Sequence, residues 1–199
     1  MYKIILASES PRRKEIMRTM GIPFETVPAN VVEIAEETEP AEMVKALAAI
    51  KAKAVADTIG KETGDLIIIG ADTMVFYDGH ALGKPKDKQD AARMLTLLSG
   101  AVHEVFTGVT IIIRREGCDR GISFAVCTEV TVQALTKEQI EDYIASGEPM
   151  DKAGAYAIQG QFGIHIKKIA GDYYNVVGFP IARIYETLLG EGINIKKLN

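Results

Sequence analysis

The chain has 199 residues, of which 47% are hydrophobic, with a net charge of −4, three histidines and two cysteines. Such a length and composition fit one globular domain, or two closely fused lobes, with a substantial core. The acidic balance excludes a basic nucleic-acid-binding face as the main function, and no run approaches the roughly 18 apolar residues of a membrane span.

The opening MYKIILASESPRR has too short an apolar stretch for a signal peptide, and arginines follow it. A soluble, cytoplasmic protein is therefore expected. Ile4 to Leu6, bounded by Ser8 and Ser10, predict a buried strand. Ser10 followed by Pro11 reads as an N-cap with proline in the first helical position. Ile16, Met17 and Met20, closed by Gly21, give about three turns of helix. A helix start prefers acidic residues, yet this one carries Arg12 and Arg13. Two readings stand: a phosphate site at the helix N-terminus, or two solvated arginines on a surface turn.

Pro23 to Val32 reads as an extended segment, which would place Glu33 at the end of a strand. Glu36, Glu37 and Glu39 make a solvated acidic face. Pro40 to Ile59 is the clearest helix, with Gly60 after its end. Lys51 falls inside its apolar stripe, four residues from both Leu47 and Val55. Its ammonium either snorkels to solvent or points into a polar pocket at the core's edge. Leu66 to Ile69 predicts a strand buried on both faces, with Gly70 and Ala71 allowing close approach. Asp72 would then emerge at the strand's C-terminal end, where open α/β sheets bind ligands. There it can hold a metal or take a proton from water.

Met74 to Leu82 reads as a hairpin turning at Asp78-Gly79. It delivers Gly83-Lys84-Pro85. The stretch Gly79 to Lys84 is one residue short of a P-loop, and Pro85 stands where Ser or Thr would open a helix. Lys84 nevertheless suits a phosphate contact. A helix over Lys88 to Ser99 follows, capped by Asp87. Two strand regions, His103 to Arg114 and Gly121 to Leu135, turn around Glu116-Gly117. Cys118 and Cys127 are placed on neighbouring strands as free thiols, without metal spacing. Thr136 to Gln139 is a capping box opening a helix that Gly147 ends. Glu148 to Gly163, punctuated by Gly154, Gly160 and Gly163, reads as a functional loop presenting Lys152 and Gln159. Ile164 to Ile169 and Tyr173 to Val177 are read as paired strands, and Pro180 to Leu189 as a closing helix. The pattern makes an α/β protein with a mixed sheet.

Cationic groups thus recur at element ends in an otherwise acidic chain, with Glu33 and Asp72 as acids at strand ends. His80, His103 and His165 show neither nucleophile nor zinc spacing. Such a set suits a polyphosphate with a divalent cation: positive groups hold phosphates, acids hold metal, and a carboxylate activates water.

Ser8-Glu9-Ser10-Pro11-Arg12-Arg13, Gly70-Ala71-Asp72-Thr73, Gly83-Lys84-Pro85 and Asp151-Lys152-Ala153-Gly154-Ala155-Tyr156-x-Ile158-Gln159-Gly160 together resemble the Maf family. The resemblance covers essentially the whole chain as a single domain over residues 1–199. It implies a fold similar to the inosine triphosphatases, an elongated mixed sheet flanked by helices with a nucleotide cleft between two lobes. It also implies hydrolysis of a nucleoside triphosphate to the monophosphate and pyrophosphate, with Mg²⁺ or Mn²⁺. Asp72 matches the family's proton acceptor, and Glu33 an acid near the metal. Ser8, Ser10, Arg12, Arg13, Lys51, Lys84 and Lys152 match its phosphate-holding pocket.

Arg12, Thr73 and Gln159 match the family's base-reading positions in the branch similar to dTTP/UTP pyrophosphatases. A neutral amide can both donate and accept toward a uracil or thymine edge. Many members carry an Asp-Glu pair where this chain has Val32-Glu33, leaving fewer protein ligands for metal. The resemblance also implies a homodimer. The alternatives are a pyrophosphatase for modified purine nucleotides and, in another class, a nucleotide-binding regulator of cell division, since Maf proteins have been linked to septum formation.

Overall fold

A computed structural model describes residues 2–60 and 64–198. Seven strands form one mixed sheet in the order β2-β1-β3-β5-β6-β7, with β4 paired to β3. The strands are β1 (Lys3–Leu6), β2 (Glu25–Thr26), β3 (Leu66–Tyr77), β4 (His80–Leu82), β5 (Val102–Arg115), β6 (Cys118–Val132) and β7 (Ile166–Ala170). The helices are α1 (Pro11–Thr19), α2 (Pro40–Ile59), α3 (Lys88–Leu98), α4 (Lys137–Ala145), α5 (Tyr173–Val177) and α6 (Ile181–Gly190). β1 runs parallel to both β2 and β3, while β3–β4 and β6–β7 are antiparallel. The mixed α/β fold expected from the sequence is therefore the fold observed.

The chain divides into two compact units. The first gathers Met1–Asp72, Thr107–Val126 and Gly178–Asn199; the second gathers Thr73–Phe106 and Cys127–Val177. In the first, Ile5, Ala7, Leu66, Ile68 and Ile112 pack against Ala52, Val55 and Ala56 of α2. Two glycines set how closely α2 approaches the strands. A Cβ on Gly70 would lie 2.4 Å from the Ala48 carbonyl oxygen, and one on Gly108 2.1 Å from that of Val44. Backbone cannot yield at such distances, so only glycine fits at either point. Close packing of α2 carries Lys51 down against β3.

In the second unit, Leu95 and Leu98 of α3, Ile140 and Ile144 of α4, and Val105, Val130 and Val132 of the strands surround Tyr156 and Phe162. Asp87 accepts from the Asp90 amide to cap α3, and the Thr136–Gln139 capping box is formed in both directions. Segment 148–165 folds as three short 3₁₀ turns instead of an open loop.

Several local expectations are corrected. The extended segment before Glu33 shrinks to the two-residue β2, and Glu33 lies in the irregular stretch before α2, beside an exposed Val32. Asp72 does not end its strand: β3 continues to Tyr77. β3 pairs with β1 only as far as Ile69 and with β4 only from Val75, so Asp72 sits between the two pairings. Ser10 occupies the N-cap position of α1 without a side-chain cap bond. Tyr173 to Val177 is helical, because Asp172 Oδ1 caps the Tyr174 amide while a buried Asn175 donates to the Val105 carbonyl and Thr128 Oγ1. Those tertiary bonds override a β-favouring composition. Both cysteines lie on β6, free and exposed.

Candidate active site

The polar groups of the first unit converge around the ends of β1 and α1. The β1–α1 turn places Ser8 with its Oγ accepting from the Ser10 amide at 3.2 Å and from Arg13 Nη1 at 3.0 Å. Arg13 is buried. Its Nε donates to the Gly178 carbonyl and its Nη1 to that of Ala71, both at 2.8 Å. Burial lowers its pKa from the ordinary arginine value, and the attraction of Asp72 and Glu33 only partly offsets that. Arg13 thus holds Ser8 and the backbone next to Asp72 in fixed places, in the field of both acids.

Lys51 resolves its two readings in favour of the polar pocket. Its side chain is 12% exposed, and its Nζ lies 2.6 Å from Asp72 Oδ1 and 2.7 Å from Glu33 Oε2. The approach of α2 to β3 through Gly70 makes the Asp72 contact. The irregular stretch before α2 brings in Glu33, whose side chain stays 44% exposed. Two carboxylates, one half-buried and one open, therefore face a single cationic point.

Chemically, that donor set fits a small divalent cation. Mg²⁺ is commonly held by one or two carboxylates, with substrate phosphates and waters completing an octahedron. Among the described residues no group of three or more His, Cys, Asp or Glu side chains could hold a metal. Asp72 and Glu33, the two carboxylates of the cluster, are both paired with Lys51.

Other sequence-predicted residues fall in the second unit, apart from Arg12, which is half-buried on α1. Thr73 follows Asp72 on β3 and is half-buried. Lys84 is exposed just after β4. The Gly154 amide donates to the Gly83 carbonyl at 3.0 Å, which sets the Lys84 and Lys152 segments side by side. Lys152 is 14% exposed and its ammonium pairs with Asp151. Gln159 is exposed and its side chain makes no hydrogen bond among the described residues.

Sequence reasoning passed over the groups that hold this segment. Tyr143 Oη donates to Glu148 Oε1 at 2.9 Å, and Glu148 Oε2 accepts from the Gln161 amide at 3.1 Å. No local pattern marks a contact across thirteen residues of glycine-punctuated chain. His103 is buried, with Nε2 2.7 Å from Tyr156 Oη, and burial lowers its pKa to about 4. His80 is exposed beside the Asp78 carbonyl. Partial burial and Glu104 push the Cys127 thiol up to about 11, away from nucleophilic use.

Comparison with known proteins adds sequence relatives of nearly equal length. A profile of the family described as Maf-like protein matches residues 3–191. A protein from Lachnoclostridium phytofermentans named dTTP/UTP pyrophosphatase is 50% identical over 198 residues, covering 99% of each chain. One of the same name from Agathobacter rectalis is 48% identical, covering 98% of this chain and all of its own. Among solved structures, the Staphylococcus aureus Ham1 protein aligns over 95% of this chain and 99% of its own, at 14% identity and a TM-score of 0.47. Among the described residues no helix is long and apolar enough to cross a membrane.

Proposed function

The chain belongs to the Maf family, and from that premise we propose that it hydrolyses dTTP and UTP to the nucleoside monophosphate and pyrophosphate. The observation that carries this reading is the Lys51 ammonium set within 2.7 Å of both Asp72 and Glu33, beside the buried charge of Arg13. Cations to hold phosphates and acids to hold a metal or activate water are combined in one cluster.

In the proposed reaction, the phosphates dock against the α1 N-terminus, with Ser8, Ser10 and Arg13, and against Lys51; Lys84 and Lys152 are assigned to the phosphates on the family resemblance. Arg13 contributes its charge and keeps Ser8 aligned. Asp72 and Glu33 would hold Mg²⁺ or Mn²⁺. Such an ion neutralises developing charge on the phosphate oxygens. Asp72 orients water and takes its proton as oxygen attacks the α-phosphorus. The α–β anhydride bond breaks, and pyrophosphate departs from the cationic cluster. For the phosphates to dock, Lys51 turns from the carboxylates to phosphate oxygens, a short movement for a flexible ammonium.

Arg12, Thr73 and Gln159 are assigned to the base. The Gln159 amide can donate to a uracil or thymine carbonyl and accept from its N–H. On the family resemblance the protein is read as a cytoplasmic homodimer.

Pyrophosphate release from a panel of nucleoside triphosphates, with and without Mg²⁺ and Mn²⁺, tests the reading. Release is expected from dTTP and UTP in the presence of metal. Release from no nucleotide would overturn it, and release chiefly from purine nucleotides would overturn the base assignment. Light scattering checks the dimer.

A further inference from the structure

We infer that Glu148, held by Tyr143, is a positioning residue for base selection, fixing the backbone on which Gln159 is displayed. The inference rests on the proposed contact between Gln159 and the base. Gln159 itself is exposed and unbonded among the described residues, so its own side chain does nothing to hold it. Its backbone is anchored on both sides. Two residues before it, the Ala157 amide donates to Tyr143 Oη at 3.3 Å. Two residues after it, the Gln161 amide donates to Glu148 Oε2 at 3.1 Å. The two anchors are one unit, because Tyr143 Oη donates to Glu148 Oε1 at 2.9 Å.

Gly160 shows how tightly the carboxylate is built in. A Cβ there would lie 2.3 Å from Glu148 Oε1 and 2.7 Å from its Cδ. The backbone at Gly160 is extended, with φ of 179° and ψ of −163°, a conformation open to any residue. A side chain at Gly160 would therefore meet the carboxylate and have to push it aside. Behind this frame the Tyr143 ring packs on Phe162 at 5.0 Å between centroids, and Phe162 on Tyr156 at 5.1 Å. Tyr143 and Phe162 are both buried. The frame holds the backbone on both sides of the turn, and Gln159 and Gln161 are both exposed on it.

Rigidity matters for this choice of base. An amide can rotate to present donor and acceptor in either order, so by itself it serves cytosine as well as uracil. Discrimination then depends on where the amide is held relative to the base edge, and a frame that fixes the Gln159 backbone limits that position. A displacement of about 1 Å is enough to weaken such contacts severely.

The test compares kcat/KM for UTP and CTP in Gln159→Ala, Glu148→Gln, Tyr143→Phe and Gly160→Ala, with Tm recorded for each. Glu148→Gln keeps size but replaces one acceptor oxygen by an NH₂ group. Gly160→Ala displaces the carboxylate from the other side. All three frame variants should lower the UTP-to-CTP ratio by about three- to tenfold, the range of one or two neutral hydrogen bonds. The loss should appear mainly as a raised KM for UTP, because the phosphate-holding groups are untouched. Combining Glu148→Gln with Gln159→Ala should lower the ratio no further than Gln159→Ala alone. If Gln159→Ala leaves the ratio unchanged, the base-reading premise falls and the inference with it. If Gln159→Ala collapses the ratio while folded Glu148→Gln, Tyr143→Phe and Gly160→Ala retain it, the positioning role is overturned and the premise stands. Additive losses in the double variant would likewise overturn it.

Discussion

Two arginines are buried in the first unit, and their surroundings differ. Arg114, on β5, donates to both oxygens of Asp119 at 2.6 and 2.8 Å, and to the carbonyls of Ala56 and Gly60 at the C-terminal end of α2. That carboxylate raises its pKa. Arg13 donates to the Ser8 hydroxyl and to the Gly178 and Ala71 carbonyls, and burial lowers its pKa despite the nearby acids. One guanidinium is balanced and ties a hairpin to a helix end, where cations are favourable. The other is desolvated by burial, which lowers its pKa more than nearby Asp72 and Glu33 raise it.

The largest effect tests the acids that face the Arg13 region. Asp72→Asn should lower kcat for dTTP by on the order of 10²–10³ while the protein stays folded, as read by pyrophosphate release and circular dichroism. Wild-type turnover in that variant would remove Asp72 from the mechanism.

A third way of burying a basic group gives the next effect. His103 remains neutral, its pKa lowered from 6.5 to about 4 by burial. As pH falls below 6.5 the unfolded chain takes up the proton first, so stability is fully present above 6.5. It drains between 6.5 and about 4, and the loss levels off below that. The shift corresponds to roughly 3 kcal/mol. Thermal melts across that range should therefore show a fall in Tm, reduced in His103→Gln.

Asp119→Asn breaks the balanced pair. Its exposed side discounts the usual cost of a broken buried pair to about 2 kcal/mol, so Tm should drop by roughly 4–8 °C with kcat retained. Smallest is Arg13→Gln, which keeps amide donors but removes the charge. KM for dTTP should rise on the order of tenfold, with a smaller change in Tm than in Asp119→Asn. If instead Asp119→Asn impaired kinetics and Arg13→Gln only lowered Tm, the distinction between the two arginines would be reversed.

Much of the frame was legible from residue order. Periodicity, caps and turn residues located α2, α3 and α4, the β3–β4 hairpin and the long β5–β6 pair. The failures share a cause. Tyr173 to Val177 has strand-like composition, but the fate of Asn175 depended on Val105 and Thr128, both far away in the chain. Glu33 was expected at a strand end, whereas its position follows from an ion pair with a helix residue eighteen places later. Within the candidate site, Asp72 and Lys51 stood out singly, as charges set among apolar neighbours. Nothing in their spacing, 21 residues apart, required them to touch.

Sequence alone determined the type of each element and the kinds of groups available, because propensity, capping and hydrophobic period act over a few residues. It also carried the family, through motifs spread along the whole chain. Tertiary structure alone decided which charges meet. Gly70 and Gly108 admit α2 so closely that Lys51 reaches Asp72, and a carboxylate at Glu148 reaches across to Gly160 and Gln161. Such contacts depend on backbone approach at the scale of a single methyl group, which no local pattern encodes.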